Sequence, residues 1–67
     1  MNFGGALEAL KRNIKVSRDS WSNQEIFLKL TVSPESTERY ISVCSPEGYY
    51  PWIPTCLDML SEDWNIV

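Results

Sequence analysis

The chain lacks histidine altogether and has only two cysteines, Cys44 and Cys56, among its 67 residues. Without histidine it has no Cys–His nucleophile and no zinc finger, and two cysteines cannot build a disulfide-rich scaffold. No apolar run approaches the roughly 20 residues of a membrane span, and no signal-peptide pattern opens the chain. These absences exclude several function classes and predict a soluble protein inside the cell.

Positive charge is also scarce, since six basic residues stand against nine acidic ones and the net charge is −3. This balance disfavours duplex nucleic acid as a partner, because phosphate contacts need clustered cations. The length predicts a single domain spanning residues 1–67. So short a chain buries only about 60 % of its unfolded surface, and association with copies of itself is the most economical source of further core.

Two segments show the spacing of helices. From residue 3 to residue 12 apolar side chains recur every three or four positions, Asn2 is placed to cap the start, and the asparagine that follows suits the end. Near the C-terminus, residues 55–62 are expected to form one or two helical turns with Leu57 and Leu60 facing inward.

Between these segments, apolar and polar residues alternate and are punctuated by proline and glycine, which is typical of short antiparallel strands. Ser45–Gly48 carries proline second and glycine fourth, the signature of a type I turn. Pro51 and Pro54 either end the strand that starts at Tyr49 or confine it to an edge. The fold class is therefore α+β, one N-terminal helix packed on a small antiparallel sheet with a short C-terminal helical turn. The expected strands cover residues 14–18, 26–32 and 40–44, the segment from Tyr49, and residues 63–67.

Tryptophan is unexpectedly frequent, with three in a chain of this size. Trp64 adjoins an apolar C-terminal segment and is expected in the core, where aromatic side chains contribute the largest burial. Trp21 lies in a polar segment near Arg18 and Asn23, and Trp52 lies in a proline-rich corner. Both positions fit either packing or a stacking platform for a flat ring with hydrogen-bonding groups around it.

Arg18 indicates what kind of ligand such a platform favours. Its planar guanidinium can bind a phosphate or carboxylate through two N–H groups, or it can pair internally with Asp19 or Asp58. Thr55, at the start of the second helical segment, is either an N-cap or a hydroxyl that helps to bind phosphate. In a net-negative protein such local donors favour an enclosed pocket for one small molecule over a groove for a polymer.

Three carboxylates are the candidate catalytic groups. Asp58 and Glu62 are four residues apart on the possible helical turn and Asp63 follows, but nothing nearby suggests a raised pKa. Solvated surface carboxylates are the commoner explanation, and a metal site built from the same side chains has no further support. The sequence therefore predicts no catalytic residue, no metal site and no cofactor.

Two sequence patterns, one near each end, resemble a family of small phage proteins. The first, MNFG-x-AL-x-AL followed by V-x-R-x-x-W, lies within residues 1–21, and the second, PW-x-x-T-x-x-DML-x-x-DW, covers residues 51–64. Both are similar to the Thoeris anti-defence proteins of the second type. The similarity spans essentially the whole chain.

The resemblance implies a protein that holds an immune signal and releases it unaltered, not an enzyme. Members of this family bind the cyclic ADP-ribose isomer that bacterial TIR-domain enzymes make on infection, which keeps the signal from the Thoeris effector. They assemble as dimers of dimers with pockets between protomers. Some relatives are described as binding cyclic oligonucleotides of other defence systems such as CBASS, and one as inhibiting a CRISPR nuclease. The implied location is the cytoplasm of the infected bacterium.

The resemblance also implies roles for individual residues. Trp21 and Trp52 match the signature tryptophans and are expected to stack on the adenine and ribose or to line the pocket around them. Arg18, supported by Thr55, is the expected phosphate donor, and Asp58 would accept from ribose hydroxyls or orient Arg18. The other expected ligand residues are Asn23 beside Trp21 and, from a neighbouring protomer, Asn2 and Phe3.

Two positions depart from the family pattern. Gly5 stands where relatives commonly carry Glu, which removes a capping box, and Ser20 replaces the glycine often found before Trp21. Both changes bear on affinity because neither touches an expected phosphate donor. Two other functions stay open: a protein–protein inhibitor of a defence nuclease that uses the aromatic surface as a hot spot, and an enzyme that cleaves the same ligand.

Overall fold

A computed structural model describes residues 1–21 and 25–67 of the chain. Its elements are α1 (Phe3–Lys11), β1 (Val16–Arg18), β2 (Phe27–Val32), β3 (Arg39–Ser45), β4 (Gly48–Pro51), α2 (Cys56–Leu60) and β5 (Trp64–Ile66). The strands of these described residues form an antiparallel sheet in the order β4-β3-β2-β1-β5. The predicted α+β class is therefore confirmed. None of the described helices is long and apolar enough to cross a membrane.

Helix α1 forms where the sequence predicts it. The Gly5 N–H donates to the side-chain oxygen of Asn2 at 2.9 Å, so the expected N-cap is present. Asn13 follows the helix with φ at 63°, a left-handed conformation that asparagine tolerates. The buried residues Ala6, Ala9 and Leu10 recur at helical spacing, so one face of α1 packs on the sheet.

The sheet face under α1 carries the core. Val16 of β1 lies opposite Leu28 of β2, Leu28 lies opposite Val43 of β3, and the first two side chains are fully buried. The first strand is shorter than predicted, since it begins at Val16 and not at residue 14. The reason is that the Ile14 N–H donates to the Ala9 carbonyl oxygen at 3.0 Å, which ties residue 14 to the end of α1.

Strand β4 lies at an edge of the sheet, as its prolines predict. It pairs with β3 through a hairpin in which Ser45 lies opposite Gly48, and Gly48 has φ at 141°, a region that favours glycine. Beyond Pro51 the contact continues, because the Trp52 N–H donates to the Ile41 carbonyl oxygen at 2.9 Å. This bond places Trp52 over the core face of β3, where Ile41 also packs.

Helix α2 forms inside the predicted segment, but the prediction that Leu57 and Leu60 face inward is wrong. Their exposed fractions are 75 % and 80 %, whereas Asp58 is buried. Each helical residue is rotated by about 100° from the one before it. Because the Asp58 carboxylate binds Arg18 in the protein interior, its neighbour Leu57 and the more distant Leu60 are turned toward solvent.

Candidate functional site

Four aromatic rings pack together where α1, β5 and the segment after β4 meet. The centroid of the Trp64 ring lies 5.6 Å from that of Phe3, 5.6 Å from that of Trp21 and 5.9 Å from that of Trp52. The Phe3 and Trp52 centroids are 6.0 Å apart. We call these four side chains the aromatic cluster, and Trp64 is its centre.

Trp64 is a core residue, as the sequence predicts. Its side chain is fully buried, and its indole N–H donates to the Asp58 carbonyl oxygen at 3.1 Å. A buried indole N–H needs such an acceptor, because leaving it unbonded costs about 1–3 kcal/mol. The bond also attaches α2 to β5, so the residue that fills the core fixes the position of Asp58.

Trp21 and Trp52 are only half-buried, and each rests its ring on Trp64. The interplanar angles with Trp64 are 79° and 86°, which are edge-to-face arrangements that aromatic pairs favour. Their backbones are also held, since the Trp21 N–H donates to the Arg18 carbonyl oxygen at 3.1 Å and Trp52 is bound to β3. Neither residue is fully buried within the protomer.

Arg18 pairs with two carboxylates. Its Nη1 donates to Asp58 Oδ1 at 2.7 Å and its Nε donates to Asp63 Oδ1 at 2.8 Å. Of the alternatives left open by the sequence, pairing with Asp58 is present, and the second carboxylate is Asp63, whereas the Asp19 carboxylate accepts from Asn65. The Arg18 and Asp58 side chains are 14 % and 11 % exposed, so water screens this pair weakly.

Thr55 and Asp58 form a capping box at the start of α2. Asp58 Oδ2 accepts from the Thr55 backbone N–H and from its hydroxyl, both at 3.0 Å, and the Asp58 N–H donates to the Thr55 hydroxyl at 3.1 Å. The N-cap interpretation of Thr55 is therefore confirmed. Both Asp58 oxygens are engaged, one with the cap and one with Arg18.

These contacts shift the pKa values of all three charged groups. Burial alone raises the pKa of Asp58, but hydrogen bonds from Thr55 and Arg18 outweigh it and hold that pKa below its ordinary value. The Arg18 hydrogen bond lowers the pKa of Asp63, and the Ser20 N–H adds to the effect. The bond to Asp63 also raises the pKa of Arg18, against desolvation, with Asp58 contributing. The site therefore holds one cation between two ionised carboxylates.

Acid is expected to destabilise the fold through these carboxylates. Because the pKa values of Asp58 and Asp63 are lower in the folded state, the unfolded chain takes up protons first as the pH falls. The free energy of unfolding should be steady above about pH 5 and should fall from about pH 4 downward. Thermal melts followed by circular dichroism at a series of pH values would measure it. A melting temperature that stays flat down to pH 3 would contradict the prediction.

The structure brings most of the sequence-predicted site residues together. Trp21, Trp52 and Phe3 share the aromatic cluster, and Trp64 links that cluster to Asp58, which binds Arg18 and Thr55. Asn2 directly precedes Phe3 in the chain, and its side chain caps α1. Asn23 lies outside the described residues.

Sequence reasoning missed Asp63 as a partner of Arg18. Asp63 reaches Arg18 because the next residue, Trp64, lies directly opposite Arg18 in the β1–β5 register. That register cannot be read from the chain itself, since both strands have only three residues.

Comparison with known proteins identifies the family. Residues 1–67 match the family model described as the Thoeris anti-defense 2-like (Tad2-like) domain. The chain is also 31 % identical to the protein Thoeris anti-defense 2 of Bacillus phage SP01 over 84 residues, which cover 100 % of this chain and 94 % of the relative. Both similarities run from end to end and so include both halves of the site. The chain belongs to the Thoeris anti-defense 2-like family of phage anti-defence proteins.

Proposed function

We propose that this protein binds and sequesters a nucleotide immune signal without cleaving it, and that the signal is the glycocyclic ADP-ribose isomer made by TIR-domain enzymes. One observation carries the proposal: Trp21 and Trp52 are only half-buried and pack on the buried Trp64 ring, whose indole N–H binds Asp58, the partner of Arg18. The family's anti-defence role supports it, because removing a signal is one way to silence a defence.

The indoles supply the stacking part of this site. Base–aromatic stacking contributes about 1–3 kcal/mol per base, and every nucleobase has a face that can use it. Trp21 and Trp52 are assigned to the adenine and ribose of the ligand. Both rings are already fixed against Trp64, so less side-chain entropy is lost on binding than for free rings.

Arg18 is assigned to the phosphates. Its Nε and Nη1 bind the two carboxylates, and the proposal gives its Nη2 group to a ligand phosphate oxygen. Thr55 supports it from the start of α2, and Asp58 either accepts from a ribose hydroxyl or orients Arg18. The 2.7 Å contact between Arg18 and Asp58 favours the orienting role. Asn23, and Asn2 and Phe3 of a neighbouring protomer, complete the proposed ligand set.

The protein is proposed to work as a homo-oligomer, a dimer of dimers. Ile53, Leu57 and Leu60, which we call the apolar ridge, are 84 %, 75 % and 80 % exposed. Covering three such side chains contributes about 1.5–3 kcal/mol each. A second copy is the proposed cover, because a chain with this small a core gains most from it. Sedimentation equilibrium at micromolar concentration tests the idea, and the 7.7 kDa mass of one chain would contradict it.

Binding is favoured over catalysis by the state of the carboxylates. A general acid at neutral pH needs a raised pKa, whereas the pKa values of Asp58 and Asp63 are both lowered. Because both carboxylates are ionised and bound to Arg18, they are suited to orienting its guanidinium. The proposed place of action is the cytoplasm of the infected bacterium, where the signal would be made.

Calorimetric titration with glycocyclic ADP-ribose tests the proposal directly. Sequestration of a micromolar signal needs nanomolar affinity, which is about −12 kcal/mol. We expect saturable heat, and mass spectrometry of the ligand recovered after heat denaturation should find it intact. A cleaved product would instead indicate an enzyme, and no heat at micromolar protein would contradict the function. The same titration with a cyclic dinucleotide tests whether cyclic oligonucleotides are also bound.

An anti-CRISPR-like inhibitor of a defence nuclease is the second candidate. The apolar ridge favours it, because large exposed apolar side chains mark protein interaction surfaces. A Trp21→Ala variant separates the two functions. It should lose ligand binding, and it should keep nuclease inhibition if the apolar ridge binds a nuclease.

A further inference from the structure

One residue, Asp63, binds three consecutive residues at the end of β1. The Asp63 carboxylate accepts from Arg18 Nε through Oδ1 at 2.8 Å and from the Ser20 N–H through Oδ2 at 3.0 Å. Its carbonyl oxygen accepts from the Asp19 N–H at 3.0 Å. Trp21 comes next, and its own N–H closes a turn on Arg18. Asp63 therefore fixes the backbone that leads into Trp21.

Asp63 is itself held in place by the sheet. It immediately precedes Trp64, which is fully buried and lies opposite Arg18 in the β1–β5 pairing. A carboxylate is the side chain that suits this position, because it offers two acceptor oxygens and a charge for the guanidinium. An amide of the same shape keeps one acceptor and replaces the other with a donor.

We propose that Asp63 is a positioning residue for the ligand site: it fixes the Arg18 guanidinium and the Trp21 indole in the geometry that the nucleotide needs. The effect on ligand binding rests on the proposed function, whereas the positioning of Arg18 and Trp21 by Asp63 does not. Asp63 acts through Arg18 and Ser20 and is not assigned a ligand contact.

A variant that removes the charge of Asp63 distinguishes positioning from a purely electrostatic effect, because the two predict opposite changes in ligand binding. Asp63→Asn removes a negative charge close to the expected position of a phosphate, so electrostatics alone would strengthen binding of an anionic ligand. Positioning requires the opposite, because Arg18 and Trp21 lose their common anchor. The matched control is Glu62→Gln, which makes the same change of charge one residue earlier at an exposed side chain.

The first measurement needs no ligand. Protein labelled with 5-fluorotryptophan gives fluorine resonances for its three tryptophans, and Trp21→Phe assigns the one from Trp21. Asp63→Asn is expected to shift or broaden the Trp21 resonance more than that of Trp52, and Glu62→Gln is expected to change neither. An Asp63→Asn spectrum that superimposes on the parent overturns the proposal. If that variant fails to fold, Asp63→Glu is used, which keeps the charge but moves both oxygens and should also shift Trp21.

The second measurement is ligand dissociation, followed by stopped-flow fluorescence with glycocyclic ADP-ribose. We expect Asp63→Asn to dissociate about tenfold faster, which corresponds to ~1.4 kcal/mol. Glu62→Gln should dissociate at the parent rate. A displaced Trp21 resonance with an unchanged dissociation rate overturns the role in binding. If the parent protein binds no ligand, the proposed function fails, and the fluorine spectra still decide whether Asp63 positions Trp21.

Discussion

Replacing Trp64 by alanine is expected to remove most of the protein's free energy of unfolding. The side chain is fully buried and contacts three other aromatic rings. Truncating a buried tryptophan typically costs about 3–5 kcal/mol. Domains in general are stable by only about 5–15 kcal/mol, and a chain of this length is expected at the lower end. The Asp58 carbonyl oxygen would lose its indole donor as well.

Circular dichroism melts would measure this loss against two matched variants. Trp64→Phe keeps a ring but removes the N–H, so it should be destabilised by less than the alanine variant. Tyr50→Ala removes an aromatic side chain that is 60 % exposed and should change the free energy of unfolding by no more than about 0.5 kcal/mol. A Trp64→Ala protein that melts at the temperature of Tyr50→Ala would show that the cluster does not carry the core.

Trp21→Ala and Trp52→Ala are expected to have the largest effect on function. If each indole stacks on part of the ligand, removing one should weaken binding by about 1–3 kcal/mol, or roughly 5-fold to 150-fold. Both rings are half-buried, so the variants should still fold. Calorimetric titration with glycocyclic ADP-ribose would measure the affinities, with melting temperatures recorded on the same samples.

Tyr49→Ala is the matched control for these variants. Tyr49 is 57 % exposed and its ring lies under Lys29, on the sheet face opposite to α1. Its removal should leave the affinity for the ligand unchanged. Equal losses from Tyr49→Ala and Trp21→Ala would mean that the aromatic cluster is not where the nucleotide binds.

Most of the fold can be predicted from the sequence because its local signals for helices, strands and turns agree with one another. The cap at Asn2, the helical spacing of α1 and the prolines around β4 each act within a few residues, so they can be read along the chain. The terminal strand β5 is predicted for the same reason, since apolar residues end the chain. The strand boundaries differ most at residue 14, where a bond to the end of α1 replaces a bond in the sheet.

The errors concern contacts between residues far apart in the chain. Helical spacing alone puts Leu57 and Leu60 inward, because apolar residues normally face a core. The rotation of α2 is set instead by Asp58, whose carboxylate binds an arginine 40 residues earlier. Asp63 is missed for the same reason, since its partner is 45 residues away. Ion pairs at such distances follow from strand register, which a three-residue strand does not reveal.

The aromatic cluster joins the two ends of the chain at a single indole. Phe3 and Trp21 come from the N-terminal pattern and Trp52 and Trp64 from the C-terminal one, so the hairpin between them supplies no ring to the cluster. The turn at residues 33–38 is exposed almost throughout and lies far along the chain from both patterns. Insertions and deletions should therefore be tolerated at this turn, and homologues of different lengths can keep the aromatic cluster while the connecting hairpin grows or shrinks.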